Sequence, residues 1–242
     1  MMKSQVDSLI AILAPMRSEL KPIMRILPLK PSGVGDRSLL RCEFGRVEIL
    51  ATTTGIGTRA ATRKAEEVLA ENSIDHLLVV GIAGGIGPSV DIGDLVVPEL
   101  VIDLPTRSEY CPSTLGSTEL RGSLVTSDDA PIDLAEVACL EGQGVIAVDM
   151  ETAAIGAVCE RQQCPWSVFR AISDRADDGS MDEALFNLAG PDGEANIPAV
   201  LRFVFTNPKR IPQLASLARG SNLAANVAAS AAVSAIREVY AT

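Results

Sequence analysis

With 242 residues, 47% of them hydrophobic, the chain can build one sizeable α/β core and is too apolar for a disordered protein. Aromatic residues amount to 3%, with one Trp, so that core is aliphatic. A formal net charge of −10 lacks the basic stripe that nucleic-acid phosphates require, while leaving room for a small ligand in a locally different pocket.

Taken in chain order, "LIAILAP" is short, follows Asp7 and runs into "MRSELKP". It reads as a buried first strand over Ile10–Leu13, not as a signal-peptide core. "LLRCEFGRVEILATTTG" reads as a hairpin turning at Gly45 and ending in polar Thr52–Thr54. In "GTRAATRKAEEVLAEN", Ala61, Ala65, Val68 and Leu69 recur at helical spacing, with charges on the other face. "HLLVVG" is a continuous apolar strand of the kind buried on both faces, and "DLVVPELVID" is a strand or a pair of strands. Residues 106–122, rich in Ser, Thr, Pro and Gly, read as loops.

"GVIAV" and "WSVFRAIS" are two further buried strands, with the helix "METAAIGAVCERQQ" between them and Pro165 as its stop signal. Strands alternating with helices imply a largely parallel sheet covered on both sides. No internal repeat or domain linker is visible, so residues 1–242 are expected to form a single domain. After Asp177 the chain becomes turn-rich. Its Ala-rich end, Gln213–Thr242, reads as one or two helices around Gly220 that cover the core or form a subunit contact.

The five cysteines, Cys42, Cys111, Cys139, Cys159 and Cys164, are odd in number and lack CxxC spacing. They read as free thiols in a reducing compartment. No run approaches the roughly 20 apolar residues needed to span a membrane. The expectation is a soluble, cytoplasmic protein with no metal and no membrane span.

Four places carry candidate chemistry. "VVGIAGGIG" runs a strand into Gly81, Gly84 and Gly85, where backbone approaches something closely. It is not a GxGxxG fingerprint, and tight packing against a neighbour explains it as well as a ligand does. "AVDMETAAIG" places Asp149 and Glu151 at a strand-to-helix junction with the helix beginning near Met150. Acids there favour the helix dipole by about 0.3–1 kcal/mol each. Alternatively, one carboxylate accepts both hydroxyls of a ribose, with Met150 on the sugar's apolar face. "RAISD" ends a buried strand at Ser173–Asp174, where open α/β sheets bind ligands. A sheltered Asp174 is either a proton donor or the cap of a turn, and Arg170 a structural ion-pair partner or a ligand contact. Finally, Glu19 in "APMRSELKP" follows the first strand near the same edge, in a loop or helix, where an isolated glutamate is commonly solvated.

Together "LAPMRSE", "GIAGGIGPSVDIGD", "VDMETAA" and "RAISD" resemble, in order and approximate separation over residues 10–178, the purine nucleoside phosphorylase/nucleosidase superfamily. The pattern is most similar to that of methylthioadenosine/S-adenosylhomocysteine nucleosidases. The resemblance implies a three-layer α/β/α domain with a mixed central sheet, cleaving a purine nucleoside, with adenine as the base and a 5′-substituent on the sugar. It implies that Glu151 binds the ribose hydroxyls, Met150 lines the sugar and Asp174, oriented by Ser173, protonates the leaving purine. Glu19 falls on the glutamate that positions and deprotonates water, and Asp149 on a structural position. Gly84 and Ile82 fall in the sugar-facing turn, Ile82 replacing a serine, and Ala130 in "TSDDAPI" replaces a base-stacking Phe.

The tail, about residues 186–242, departs from the nucleosidase ending and resembles that of hopanoid-associated phosphorylases. No cofactor is implied, phosphate being a co-substrate if cleavage is phosphorolytic. Arg17, Arg59 and Arg63 are the arginines available to a phosphate, although none falls clearly on the phosphorolytic motif positions. Glu19 favours hydrolysis over phosphorolysis, and a non-catalytic nucleoside-binding protein on the same fold is the third reading. The family implies a homodimer or higher homo-oligomer.

Overall fold

The computed structural model describes residues 7–32, 39–128, 134–176, 207 and 210–240. β1 (Ser8–Ala14) leads into α1 (Arg17–Ile26), and a short β2 (Lys30–Pro31) precedes the hairpin of β3 (Leu40–Phe44) and β4 (Val47–Thr53). α2 (Thr58–Glu71) then feeds β5 (His76–Gly85), the centre of the sheet. Beyond it come β6 (Leu95–Val96), β7 (Leu100–Asp103), β8 (Glu109–Tyr110) and β9 (Ser123–Thr126). α3 (Leu134–Gly142), β10 (Val145–Asp149), α4 (Thr152–Arg161), β11 (Trp166–Arg175) and α5 (Ile211–Tyr240) complete the described elements.

The eleven strands form one sheet in the order β2-β3-β4-β1-β5-β10-β9-β7-β8, with β11 joined to β5 and β6. β1 runs parallel to β4 and β5, and β11 parallel to β5, whereas β10 meets β5 antiparallel at Ala147–Gly85 and Val148–Gly84. The sheet is therefore mixed. Side-chain alternation divides the core into two layers. Ile10, Ile12 and Ala14 of β1 pack with Leu20 and Ile23 of α1 and Ala228 and Ala232 of α5. Ala11 and Leu13 point to the other face, toward Ala61 and Ala65 of α2 and Ile155 and Val158 of α4. The result is the expected three-layer α/β/α sandwich.

One alternative is decided and one expectation changes. The Ala-rich tail is one 30-residue helix running straight through Gly220. Its buried small residues let it lie close on β11, β5 and α1. The helix after β10 begins at Thr152, not Met150, with Glu151 as its N-cap residue. "DLVVPELVID" resolves into two strands, β6 and β7. On the α4 side, Trp166 fills the space beside Gly156, where a Cβ would lie 2.6 Å from its ring.

Candidate active site

The C-terminal ends of β1, β5, β10 and β11 converge on one guanidinium. Arg170, in the middle of β11, is fully buried, and three acids from two other segments, α1 and the β10–α4 junction, surround it.

Glu19 arrives from α1. Its Oε1 accepts a hydrogen bond from Met16 N–H (3.1 Å), folding back over the first turn of the helix as a glutamate at the third helical position does. Its Oε2 crosses to β5 and accepts from Ile82 N–H (2.7 Å), while Arg170 Nη1 stands 3.6 Å away. Gly81 makes this meeting possible. A Cβ there would lie 2.1 Å from Glu19 Oε2 and 2.4 Å from Arg170 Nη1. The close approach signalled by "GIAGG" is, at Gly81, an approach by the chain's own charged side chains.

Asp149 ends β10 and faces the opposite end of the guanidinium. Its Oδ2 accepts from Arg170 Nη2 and Thr152 Oγ1, and its Oδ1 accepts from Thr126 Oγ1 (2.6 Å). Both oxygens also face Thr152 N–H, at 3.2 and 3.3 Å, so Asp149 caps the start of α4. Thr126 Oγ1 accepts in turn from Ala153 N–H (2.9 Å), tying β9 to the same helix end.

Glu151 lies between these groups and α2. Its Oε2 accepts from Arg170 Nη2 (3.1 Å) and its Oε1 from Gly57 N–H (3.0 Å). Gly57 has φ +90°, a conformation that glycine adopts without strain, and this turns its N–H at the start of α2 toward the carboxylate. One residue on, Thr58 N–H donates to Asp128 Oδ1 (2.8 Å). The N-terminus of α2, ordinarily an anion site, is thus filled by two of the chain's own acids.

Three buried carboxylates around one cation leave an excess of acid. Burial is the largest influence on both glutamates, pushing Glu19 up to about 7 and Glu151 up to about 8 while Arg170 opposes the rise. Burial pulls Arg170 down, but Asp149, Glu151 and Glu19 more than offset it and hold its pKa above the ordinary value. Glu19 therefore changes charge near neutrality, the range in which a general base works best.

Four residues beyond Arg170, Asp174 is half-buried at the end of β11. The ladder with β5 slips between Ile172, opposite Ala83, and Asp174, opposite Gly84, which makes Ser173 the extra residue of a bulge. Ser173 Oγ lies against Asp174 Oδ1 and 3.3 Å from the Ala83 carbonyl. Arg175 donates to the carbonyls of Val90 and Gly87, both at 2.9 Å, and pins the following backbone.

The structure thus gathers Glu19, Glu151 and Asp149 on Arg170, and sets Ser173, Asp174 and Gly84 side by side just beyond it. Met150 is half-buried between Asp149 and Glu151. Ile82 offers its N–H to Glu19, while its side chain packs on the core between the sheet and helices α1 and α5. Ala130 lies outside the described residues. Arg17, Arg59 and Arg63 are exposed, so the guanidinium that enters the cluster is Arg170. The parts that sequence reasoning missed are Gly57, Thr126 and Thr152. A signal for Gly57 was present in "TTTGIGT", a glycine pair between a strand and a helix.

A family model described as the phosphorylase superfamily matches residues 9–114 and 120–205. The fold is similar to that of 5′-methylthioadenosine/S-adenosyl homocysteine nucleosidase from Helicobacter pylori, with a TM-score of 0.72 at 19% identity over 97% of this chain and 100% of that one. S-adenosylhomocysteine nucleosidase from Streptococcus pyogenes gives 0.72 at 17% identity, over 98% and 99% of the two chains. Futalosine hydrolase of Helicobacter pylori gives 0.71 at 18% identity, over 96% and 98%. The family match covers most of the chain, and its two segments carry Glu19, Glu151, Arg170 and Asp174: the chain belongs to the phosphorylase superfamily.

Proposed function

We propose that this enzyme hydrolyses the N-glycosidic bond of a 5′-substituted purine nucleoside, with adenine as the released base. The observation that carries the hydrolytic reading is the occupation of the anion-binding groups by the protein's own carboxylates. Glu19 takes the N–H groups of Met16 and Ile82, and Glu151 and Asp128 take the first N–H groups of α2. A phosphate entering here finds those N–H groups already taken and brings further negative charge to a buried site where three acids share one cation. Water meets a glutamate able to take its proton.

The geometry supports the following roles. Glu151 keeps a second lone pair on each oxygen for the ribose hydroxyls, and its carboxylate stabilises the positive charge that grows on the sugar as the bond breaks. Asp174, held by Ser173, delivers a proton to the departing purine, which turns a poor leaving group into a neutral one. Glu19, held at both oxygens, orients the attacking water and accepts its proton. The nucleosidases whose fold this chain shares support the choice of a 5′-substituted adenine nucleoside.

The test is base release from adenosine, 5′-methylthioadenosine, S-adenosylhomocysteine and inosine, each with and without phosphate, following free base and sugar product. Phosphate-independent release of adenine and free sugar is expected. Sugar 1-phosphate formed only in the presence of phosphate would reject hydrolysis and remove the role given to Glu19. Asp174→Asn should lower turnover by about 10²–10⁴-fold while leaving nucleoside binding intact. Full turnover in that variant would reject Asp174 as the acid.

A further inference from the structure

We propose that Gly220, in α5, is a positioning residue for Asp174: because it carries no side chain, the helix lies directly on the Ser173 carbonyl and holds the bulge that presents the acid. This rests on the reading of Asp174 as proton donor.

A glycine inside a long helix weakens it by about 0.5–1 kcal/mol relative to alanine. The surrounding sequence, "LASLARGSNLAANVAAS", supplies alanine repeatedly, so glycine at this position calls for a local reason. The reason is spatial. A Cβ on Gly220 would lie 2.1 Å from the Ser173 carbonyl oxygen, 3.3 Å from its carbonyl carbon and 3.4 Å from Ile92 Cγ2. The first of these is backbone, and no rotamer change relieves it. Accommodating one methyl group there requires the strand or the helix to retreat by about 1.4 Å, given ordinary contact distances of about 3.5 Å.

The carbonyl concerned belongs to the bulge. Ser173 is the residue that the β5 ladder skips, and its hydroxyl holds Asp174. On the preceding residue, Ile172 N–H donates to the Asp94 carbonyl (2.9 Å) and Gly93 N–H to the Ile172 carbonyl (2.8 Å), so the turn at 93–94 braces one side. α5 braces the other, and it also sits on that turn. Leu223, one helical turn after Gly220, lies over Gly93, where a Cβ would be 2.9 Å from Leu223 Cδ2. Backbone and helix thus meet through two glycines, one on each partner. A misplacement of about 1 Å at a proton donor is enough to cost on the order of 10²-fold in rate.

The experiment compares Gly220→Ala, Asp174→Asn and the double variant, with the wild-type enzyme's best substrate among the four nucleosides named above. Gly220→Ala is expected to lower kcat by about 10- to 100-fold and to change KM less than about 3-fold. In the Asp174→Asn background the same substitution is expected to cost almost nothing more, because an asparagine has no proton to deliver. A merely structural defect would lower both backgrounds equally, and that result overturns the proposal. Leu223→Ala, at a residue 51% exposed, introduces no clash and is expected to lower kcat about 2- to 5-fold. If Gly220→Ala yields no folded protein, an unchanged kcat in Leu223→Ala overturns the proposal. Full kcat in Gly220→Ala alongside a crippled Asp174→Asn rejects the positioning role alone. Full kcat in Asp174→Asn rejects the underlying reading of the acid.

Discussion

β5 and β11 lie side by side from Leu77 opposite Trp166 to Gly85 opposite Arg175, and they bury polar groups at both ends. At the N-terminal end, His76 Nε2 lies 2.8 Å from Ser167 Oγ, whose proton goes to the Ser113 carbonyl (2.6 Å). With the hydroxyl proton so used, the imidazole donates from Nε2–H, and burial lowers the His76 pKa to about 4, which keeps the ring neutral. Toward the C-terminal end, from mid-strand on, stand Arg170 and its three acids, with Glu19 and Glu151 pushed up to about 7 and about 8. One end is a neutral relay that satisfies its members. The other is overloaded with charge of one sign and holds protons that the unfolded chain would release. The same pair of strands thus shows a buried network whose members are satisfied and neutral, and another that crowds acids on one cation at some expense of stability.

The largest effect should come from removing the one cation. Arg170→Met leaves Glu19, Asp149 and Glu151 buried without it and is expected to cost about 3–5 kcal/mol, visible as loss of folded protein in urea titrations at pH 8. Near-wild-type stability for that variant would mean that the acids are not held together by Arg170.

A smaller effect, with a defined direction in pH, comes from Glu19. Its ordinary pKa is 4.5 and its folded value about 7, so between those limits the folded state binds more protons than the unfolded one. Stability therefore falls as pH rises through this window, by on the order of 3 kcal/mol for this group. Glu151 extends the fall to about pH 8. Glu19→Gln should flatten the slope and raise the melting temperature at pH 8 while abolishing turnover. In the wild type, turnover should rise from about pH 7 to about pH 8 as Glu19 and then Glu151 ionise. The His76 contribution has the opposite sign: between about 4 and 6.5 the unfolded state binds the extra proton, so this group opposes the two glutamates over the shared range, and Glu19→Gln should leave a shallower net fall there. An unaltered stability slope between about pH 4.5 and 7 in Glu19→Gln would remove the charge-loading argument.

The smallest effect belongs to the neutral end. Ser167→Ala should cost about 1–2 kcal/mol in chemical denaturation and leave kcat unchanged, since it breaks two neutral hydrogen bonds three residues before Arg170 on the strand. A changed kcat would show that the two ends are coupled.

The main strands and α2 were legible because their apolar residues keep strict period. Ile10 and Ile12 against Ala11 and Leu13 announce a strand buried on two faces, and Ala61, Ala65 and Val68 announce a helix. β2 and β8, two residues each, are too short for any period to appear. The tail was harder for a different reason. Gly220 reads locally as a break, and only its contact with Ser173 explains why the helix continues through it. At the site, the resemblance singled out Glu19, Glu151, Ser173 and Asp174. The centre on which the first two converge was less visible. Glu19 and Arg170 meet through a space left at Gly81, and Glu151 finds its second partner at Gly57, contacts between segments far apart in the chain.

Trp166 gives the molecule a built-in optical probe. It is the only tryptophan, it is buried, its ring fills the space beside Gly156 of α4, and its Nε1 has no hydrogen-bond partner among the described residues. A lone indole in so dry a setting emits toward the blue, and with two tyrosines in the whole chain little else competes for the signal. Because α4 is the helix whose first turn is set by Asp149 and Glu151, any disturbance of that carboxylate pair that shifts the helix is reported in the fluorescence of the unlabelled protein.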